Sequence, residues 1–375
     1  SRATSRRARF AGLSLLAAAA VLLAPGLAGA TVSFDFEGPV FFEPGEIVKD
    51  HSLVLVDGTF HLYYITTGLR SFGYATSADL RHWTIHEDVL QAGPDDWDGE
   101  QIWAPCVVPY PPDPSCLLMY YTGVNAAFAQ RTGLALTDVP LLWSKAPQAL
   151  FVPFHGDTAW TLWDEDAWSN YRDPGFFNEG GDSYLVHCAQ TRGWLGAVAL
   201  ARSNDYFHWE DAGPLYVHDS WHALESPFLM KRGGVYHLFF TEEEVGGVSH
   251  MASDSLLGGW DITRRSIIDD GHAPEVLDAG MDRFILSRHT SYSSDAGPVS
   301  SIRFDTLAWN GDAPSVEMTD LLGGWTTLRG TAFDHQPVMG NNPLFRGDDA
   351  ASIGFEGNWW IGTYESMWKL SALLG

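Results

Sequence analysis

One phrase recurs five times along this chain and limits what it can fold into. A strand entrance, usually closed by proline, leads into a short apolar strand, then a turn, then a second strand rich in aromatics. The copies open at Lys49-Asp50-His51, Trp103-Ala104-Pro105, Arg172-Asp173-Pro174, Glu225-Ser226-Pro227 and His272-Ala273-Pro274. Their first strands are expected at Leu53–Val56, Cys106–Pro109, Gly175–Phe177, Phe228–Met230 and Glu275–Leu277. Their second strands are expected at Phe60–Ile65, Leu117–Thr122, Ser183–Ala189, Val235–Phe240 and Phe284–Arg288. The turns Asp57-Gly58 and Gly233-Gly234 supply the positive φ that a tight hairpin needs.

Each unit then ends in a third strand closed by an Asp and, a few residues later, a Trp: Asp79…Trp83, Asp138…Trp143, Asp205…Trp209, Asp254…Trp260 and Asp305…Trp309. No stretch after the N-terminal segment shows a long 3.6-residue apolar period, so helices are not expected. Units of three or four strands, about 50–70 residues apart, describe an all-β, five-bladed β-propeller over residues 31–330. Residues 331–375 are expected to be a closing segment or an incomplete β module. Asn358–Glu365 reads as a strand there, and the piece is a candidate to close the ring against Val32–Phe36.

Residues 1–30 carry Arg2, Arg6, Arg7 and Arg9, then the apolar run Ala11–Ala24, then Ala28-Gly29-Ala30. That order is the pattern of a secretory signal peptide, with Arg6-Arg7 close to a twin-arginine address. The mature protein is therefore expected to be secreted or periplasmic, with no membrane partner after the signal is removed. The formal net charge of −25 argues against nucleic acid as a partner and makes a neutral substrate, a class that includes oligo- and polysaccharides, the natural complement. Of three cysteines, Cys106 and Cys116 flank a Pro-rich loop between antiparallel strands and are placed to face each other; Cys188 reads as a buried thiol. No Cys-x-x-Cys or clustered Cys/His spacing suggests zinc.

In a propeller the residue at each inner-strand entrance points into the pocket at one end of the ring. Asp50, Ala104, Asp173, Glu225 (one residue ahead of the strict register) and Ala273 then converge, and three carboxylates share one site. Crowded carboxylates do not all ionise freely, so one is expected to stay protonated near neutral pH. A protonated acid beside an ionised carboxylate is what cleavage of a glycosidic bond requires. For any one of these acids, capping a strand or pairing with an arginine is the plainer role; three at equivalent places point to catalysis.

At these residues the chain resembles the five-bladed furanosidase superfamily. Lys49-Asp50, Tyr171-Arg172-Asp173-Pro174 and Glu225-Ser226-Pro227 look like its three acidic motifs, over about residues 40–310. Arg172-Asp173-Pro174, Phe60-His61-Leu62 and Tyr236-His237-Leu238 are similar to the β-fructosidases of glycoside hydrolase family 32. Trp103-Ala104-Pro105 and Glu225-Ser226-Pro227-Phe228-Leu229 are similar to the arabinanase and β-xylosidase group of family 43. The resemblance implies a secreted glycosidase acting on fructan or on arabinan and xylan-like glycans. It implies Glu225 as the general acid/base, and Asp50 as the nucleophile or as the base that activates water. Asp173 and Arg172 would hold sugar hydroxyls, with Asp173 stabilising charge in the transition state. Trp103 would stack on a sugar or serve as a rim aromatic. His272 would hold water or a cation such as calcium near the propeller axis, or be a hydrogen-bonded core residue. The chemistry requires no cofactor.

Lys49-Asp50-His51 departs from the Asn-Asp-Pro of the fructosidases, and Ser226 replaces the cysteine that commonly follows their acid. These departures favour one rival, a non-catalytic carbohydrate-binding propeller. Asp98, Glu100, Asp164 and Asp166 are further acids near the motifs, read as loop residues.

Overall fold

Runs such as Thr59–Ile65 and Val235–Glu242 combine β-branched and aromatic side chains and follow two-residue turns, so hairpins are the local solution. In the computed structural model, which describes residues 39–93, 97–242, 244–294, 297–317, 360–363 and 366–369, those hairpins grow into five antiparallel sheets arranged as a β-propeller. Among the described residues there is no α-helix, only a short 3-10 turn at Ile262–Arg264.

Four blades run inner to outer in chain order. The first comprises Lys49–Val56, Thr59–Ile65, Ser71–Ser77 and Trp83–Ile85, with Leu90–Gln91 added beside the third strand. The second comprises Gln101–Tyr110, Asp113–Val124, Gln130–Thr137 and Ser144–Lys145. The third comprises Tyr171–Glu179, Asp182–Gln190, Gly196–Ser203 and Glu210–Val217. The fourth comprises Leu224–Arg232, Val235–Glu242, Val248–Ser253 and Ser266–Asp269.

The fifth blade differs. Its strands His272–Asp278, Phe284–Ser294 and Gly297–Asn310 are joined at the outer edge by Val40–Phe41, from the other end of the propeller. Val40 lies opposite Arg303 and Phe41 opposite Ile302. Phe41 is buried among Leu62, Tyr64, Ile302 and Phe304, so closing the ring also fills the seam between the fifth and first blades. The other seams are filled likewise, for example by Tyr63, Phe72, Met119 and Tyr121 between the first and second blades.

Four of the Asp…Trp closures are the same turn. A hydroxyl at the end of the third strand (Ser77, Thr137, Ser203 or Ser253) accepts a backbone N–H two residues on. The indole of Trp83, Trp143, Trp209 or Trp260 donates back to a carbonyl in the turn. The fifth pair is a correction. Asp305 and Trp309 lie inside the continuous strand Gly297–Asn310, and Asp305 is a buried partner of Arg288 rather than a turn residue.

The cysteine expectation is also corrected, because Cys106, Cys116 and Cys188 are all free. Strand pairing sets Cys106 opposite Tyr120, four residues beyond Cys116, while the Cys116 Sγ sits 3.9 Å from Asp113. Cys188 is buried as expected.

The propeller lies within the unit Gly38–Trp325. The export segment, Val32–Phe36 and most of 331–375 lie outside the described residues. Trp360–Thr363 is a strand, as read from sequence, and pairs with Ser366–Lys369. No helix among the described residues is long and apolar enough to cross a membrane.

Arg288 ties the fourth and fifth blades together. Its Nε and Nη2 donate to the two carboxylate oxygens of Asp269 at 2.8 and 2.7 Å, and Nη1 meets Asp305 at 2.5 Å. All three side chains are buried. Removing one member of such a group strands charge in a dry seam. Arg288→Ala is expected to lower the unfolding free energy by about 3–5 kcal/mol, read by chemical denaturation.

Candidate active site

Every inner strand breaks register at its entrance. The breaks fall between Lys49 and His51, Trp103 and Cys106, Arg172 and Gly175, Glu225 and Phe228, and His272 and Glu275. Inside each break one residue takes a left-handed backbone: Asp50 (φ 35°), Ala104 (46°), Asp173 (58°), Ser226 (48°) and Ala273 (53°). For residues other than glycine this costs on the order of 1–3 kcal/mol each. Neighbouring blades hold three of the bulges. Asp173 N donates to Thr122 Oγ1 at 2.9 Å, and Ala273 N to Thr241 Oγ1 at 3.0 Å. Ser226 N donates to Asp173 Oδ2 at 2.9 Å. Proline follows in four copies, where its missing N–H leaves no ladder donor unpaired. In the first blade His51 takes that place. It is buried, bonds Ser287 Oγ at 2.7 Å, and burial pushes its imidazole down to about 3.

A bulge lets two successive residues face the same side, which strict strand alternation forbids. Lys49 with Asp50, Arg172 with Asp173, and Glu225 with Ser226 therefore line one pocket together with Trp103 and His272. Its volume is about 620 Å³. Beneath it, on the axis, lies a cavity of about 30 Å³ floored by Glu275. Glu275 accepts from Ser52 Oγ at 2.9 Å and Leu53 N at 2.7 Å, and burial raises its carboxyl to about 8.

Glu225 is held from both sides. Arg172 Nη2 donates to its Oε1 at 2.5 Å, and His272 Nε2 meets its Oε2 at 2.9 Å. The other nitrogen of His272 stands 3.9 Å from Asp50 Oδ1, so the Asp50 and Glu225 carboxylates lie against opposite nitrogens of one imidazole. Arg172 also reaches Asp173 Oδ2 at 3.5 Å and Asn170 Oδ1 at 2.6 Å.

Burial is the largest influence on all of these groups, but the balance differs between them. For Asp173 burial wins: the nearby charges of Asp50 and Glu225 reinforce it against Arg172, and the carboxyl rises. For Glu225 burial loses to the His272 hydrogen bond and the Arg172 charge, and the carboxyl falls to about 2. Burial would also lower His272, yet its bond to Glu225 and the surrounding carboxylates raise it. Crowding and burial thus raise Asp173 to about 6, still below neutrality, and Glu225 is ionised in the free protein; the carboxyl raised above neutrality is that of the buried Glu275.

Asp50, Asp173, Glu225, Arg172, Trp103 and His272 all line this pocket. Asp98, Glu100, Asp164 and Asp166 do not. Asp98 lies in the loop before Gln101–Tyr110, as expected, but is buried there and bonded to Tyr121 and Lys145. Sequence reasoning passed over Lys49, Trp168, Asp270, His289 and Thr290. Lys49 occupies the same register as Trp103, Arg172, Glu225 and His272, a signal that was present in the repeat. Trp168 comes from the connection between the second and third blades, outside the repeat, where it stacks on Phe128 at 5.5 Å and approaches Trp103 at 6.5 Å.

The sequence profile of glycosyl hydrolases family 43 matches residues 46–287. Solved structures share the fold at low identity. A thermostable family-43 glycoside hydrolase superposes with a TM-score of 0.60 at 16% identity, over 76% of this chain and 96% of that one. An endo-arabinase from Bacteroides thetaiotaomicron gives 0.57 at 16% identity, over 74% and 99%. A sucrose-6-phosphate hydrolase from Lactobacillus gasseri gives 0.63 at 16% identity, over 76% of this chain and 64% of that longer one.

The raised carboxyl of Asp173 makes a test by pH. A folded-state value raised from 3.8 to about 6 makes the native state bind the extra proton, so stability falls as pH rises through that window. Asp173→Asn keeps an acceptor for Ser226 N–H and removes the titration. Its stability relative to wild type is expected to improve by about 1–3 kcal/mol between pH 4 and 7, read from denaturation midpoints across that range.

Proposed function

The chain belongs to glycosyl hydrolase family 43 and is a glycosidase, and from that premise we propose that it hydrolyses furanose-type glycans of the arabinan and xylan or fructan kind, as a secreted or periplasmic enzyme. Glu225 is the general acid and Asp50 the general base. The observation that carries this reading is the placement of the two carboxylates on opposite nitrogens of His272, at the wall of one open pocket.

An imidazole between the carboxyls sets them wider apart than the ~5 Å of a retaining pair and nearer the 6.5–9.5 Å that admits water. Asp50 therefore reads as the base for water rather than as a nucleophile. Glu225 needs a proton before it can act, and the donor at hand is His272 Nε2, 2.9 Å from its Oε2. Transfer from His272 neutralises Glu225, which then protonates the glycosidic oxygen as the bond to the anomeric carbon breaks. Water attacks that carbon from the opposite face and gives its proton to Asp50. Asp173 and Arg172 hold sugar hydroxyls, and Asp173 faces the positive charge that develops on the ring. Trp103 and Trp168 offer aromatic faces to neighbouring sugar units.

Calcium takes six to eight oxygen ligands. The axial cavity is lined by the carboxyls of Asp50, Asp173 and Glu275, and the oxygens of Glu275 already accept from Ser52 and Leu53. No step here runs through such an ion.

Reducing-sugar release is to be followed on arabinan, xylan and aryl arabinofuranosides, and on levan, inulin and sucrose. Wild type is expected to act on one set. Glu225→Gln is expected to lose about 10²–10⁴-fold in kcat, and NMR should find the product anomer inverted. No release above the Glu225→Gln level on either set would sink the proposal in favour of a binding propeller. A retained anomer would make Asp50 a nucleophile.

A further inference from the structure

Away from the pocket, the seam between the third and fourth blades carries a second polar group. His218 follows the outer strand Glu210–Val217, and Glu242 ends the strand Val235–Glu242. Among the described residues, His218, Glu242 and Glu244 are the group whose ligand atoms gather within 4.8 Å of one another. His218 and Glu242 are almost completely buried, at 4% and 2% exposure, while Glu244 is open to solvent.

The partners of His218 define its protonation. Nδ1 faces the Asp219 carboxylate at 3.2 Å and the Tyr216 hydroxyl at 3.3 Å. A carboxylate only accepts, so Nδ1 carries the hydrogen. Nε2 is then left with its lone pair. It has no hydrogen-bond donor and points at Glu242 Oε1, another acceptor, 3.4 Å away. Two acceptors facing each other at a buried seam are unfavourable unless positive charge lies between them. Arg265 Nη1 engages the other oxygen of Glu242, which orients that carboxylate with Oε1 towards His218. The carboxylate of Asp219 behind the imidazole orients the ring as outer partners of metal-bound histidines do.

We propose that His218 Nε2, Glu242 Oε1 and the Glu244 carboxylate form a binding site for a divalent transition metal, zinc being the ion this donor set suits. Ligands about 2.1 Å from a tetrahedral zinc stand about 3.4 Å apart, the separation already present between His218 and Glu242. One nitrogen and two carboxylate oxygens match zinc better than calcium or magnesium, which prefer all-oxygen shells. Water completes the set. The ion would pin the segment from His218 to Ala223, which leads directly into Leu224 and Glu225. Its role is structural, since none of its ligands lines the pocket.

The full chain, stripped with EDTA, is to be titrated with zinc chloride by calorimetry and loaded with cobalt for visible spectroscopy. One equivalent of zinc, a cobalt band of four-coordinate N/O ligation and a higher unfolding temperature are expected. Glu244→Gln should weaken binding by about tenfold or more while leaving glycan hydrolysis intact. His218→Gln should abolish binding; because His218 is buried, the exposed Glu244 variant decides the matter where the histidine variant does not fold. No zinc uptake would show that a second proton on His218 bridges to Glu242, and would overturn the proposal. Uptake unchanged in Glu244→Gln would place the ion elsewhere and overturn it equally.

Discussion

A left-handed residue at the head of each inner strand is the constraint on which this molecule depends. Without the bulge, strand alternation would send Arg172 and Asp173 to opposite faces. With it, both face the pocket, as do Lys49 with Asp50. The conformation is unfavourable for Ala104 and Ala273, so the surrounding blades must impose it. Thr241 does this for Ala273 from the preceding blade, by accepting the N–H group that the bulge exposes, and Thr122 does the same for Asp173. Close approach adds to it: a side chain on Gly175 would lie 2.3 Å from the carbonyl oxygen of Pro227. Packing between blades thus holds the backbone that gathers the charged groups.

Those groups are arranged to oppose one another's comfort. Three carboxylates, an arginine and a histidine share a wall that is mostly withdrawn from water. Glu225 receives both hydrogen-bonded cations and is pulled down to about 2; Asp173, with a longer contact to Arg172 and one backbone donor, is pushed up to about 6. The same pairing that stabilises the Glu225 anion places a proton 2.9 Å from it.

The ring itself is closed by sequence-distant pieces. Val40–Phe41 completes the last blade, and Phe41 fills the seam that a simple row of five sheets would leave open. Buried ions also secure a seam: Arg288 joins the outer strand of the fourth blade to the middle of the fifth. Asp305 shows how such a contact escapes a periodic reading. Its distance from Trp309 imitates the turn signature of the other blades, yet its side chain answers a buried arginine.

The sequence by itself determined the number of blades, their hairpins and the identity of the converging acids. Those properties are written in local alternation, turn residues and a repeat, which need no knowledge of distant contacts. Asp50, Asp173 and Glu225 were legible because each stands at the strand entrance of its unit, Glu225 one residue earlier than the other two. Tertiary structure decided the rest. Which carboxyl is raised and which is lowered depends on Arg172 and His272 arriving from two different blades, and on how much water burial removes. That Lys49 and Glu225 share a register with Arg172 follows from the bulge, a feature of backbone geometry that composition does not mark. Trp168 lies outside the repeat and reaches the pocket only through the fold of its loop. Cys106 and Cys116 stay apart because strand register, not sequence distance, sets what faces what.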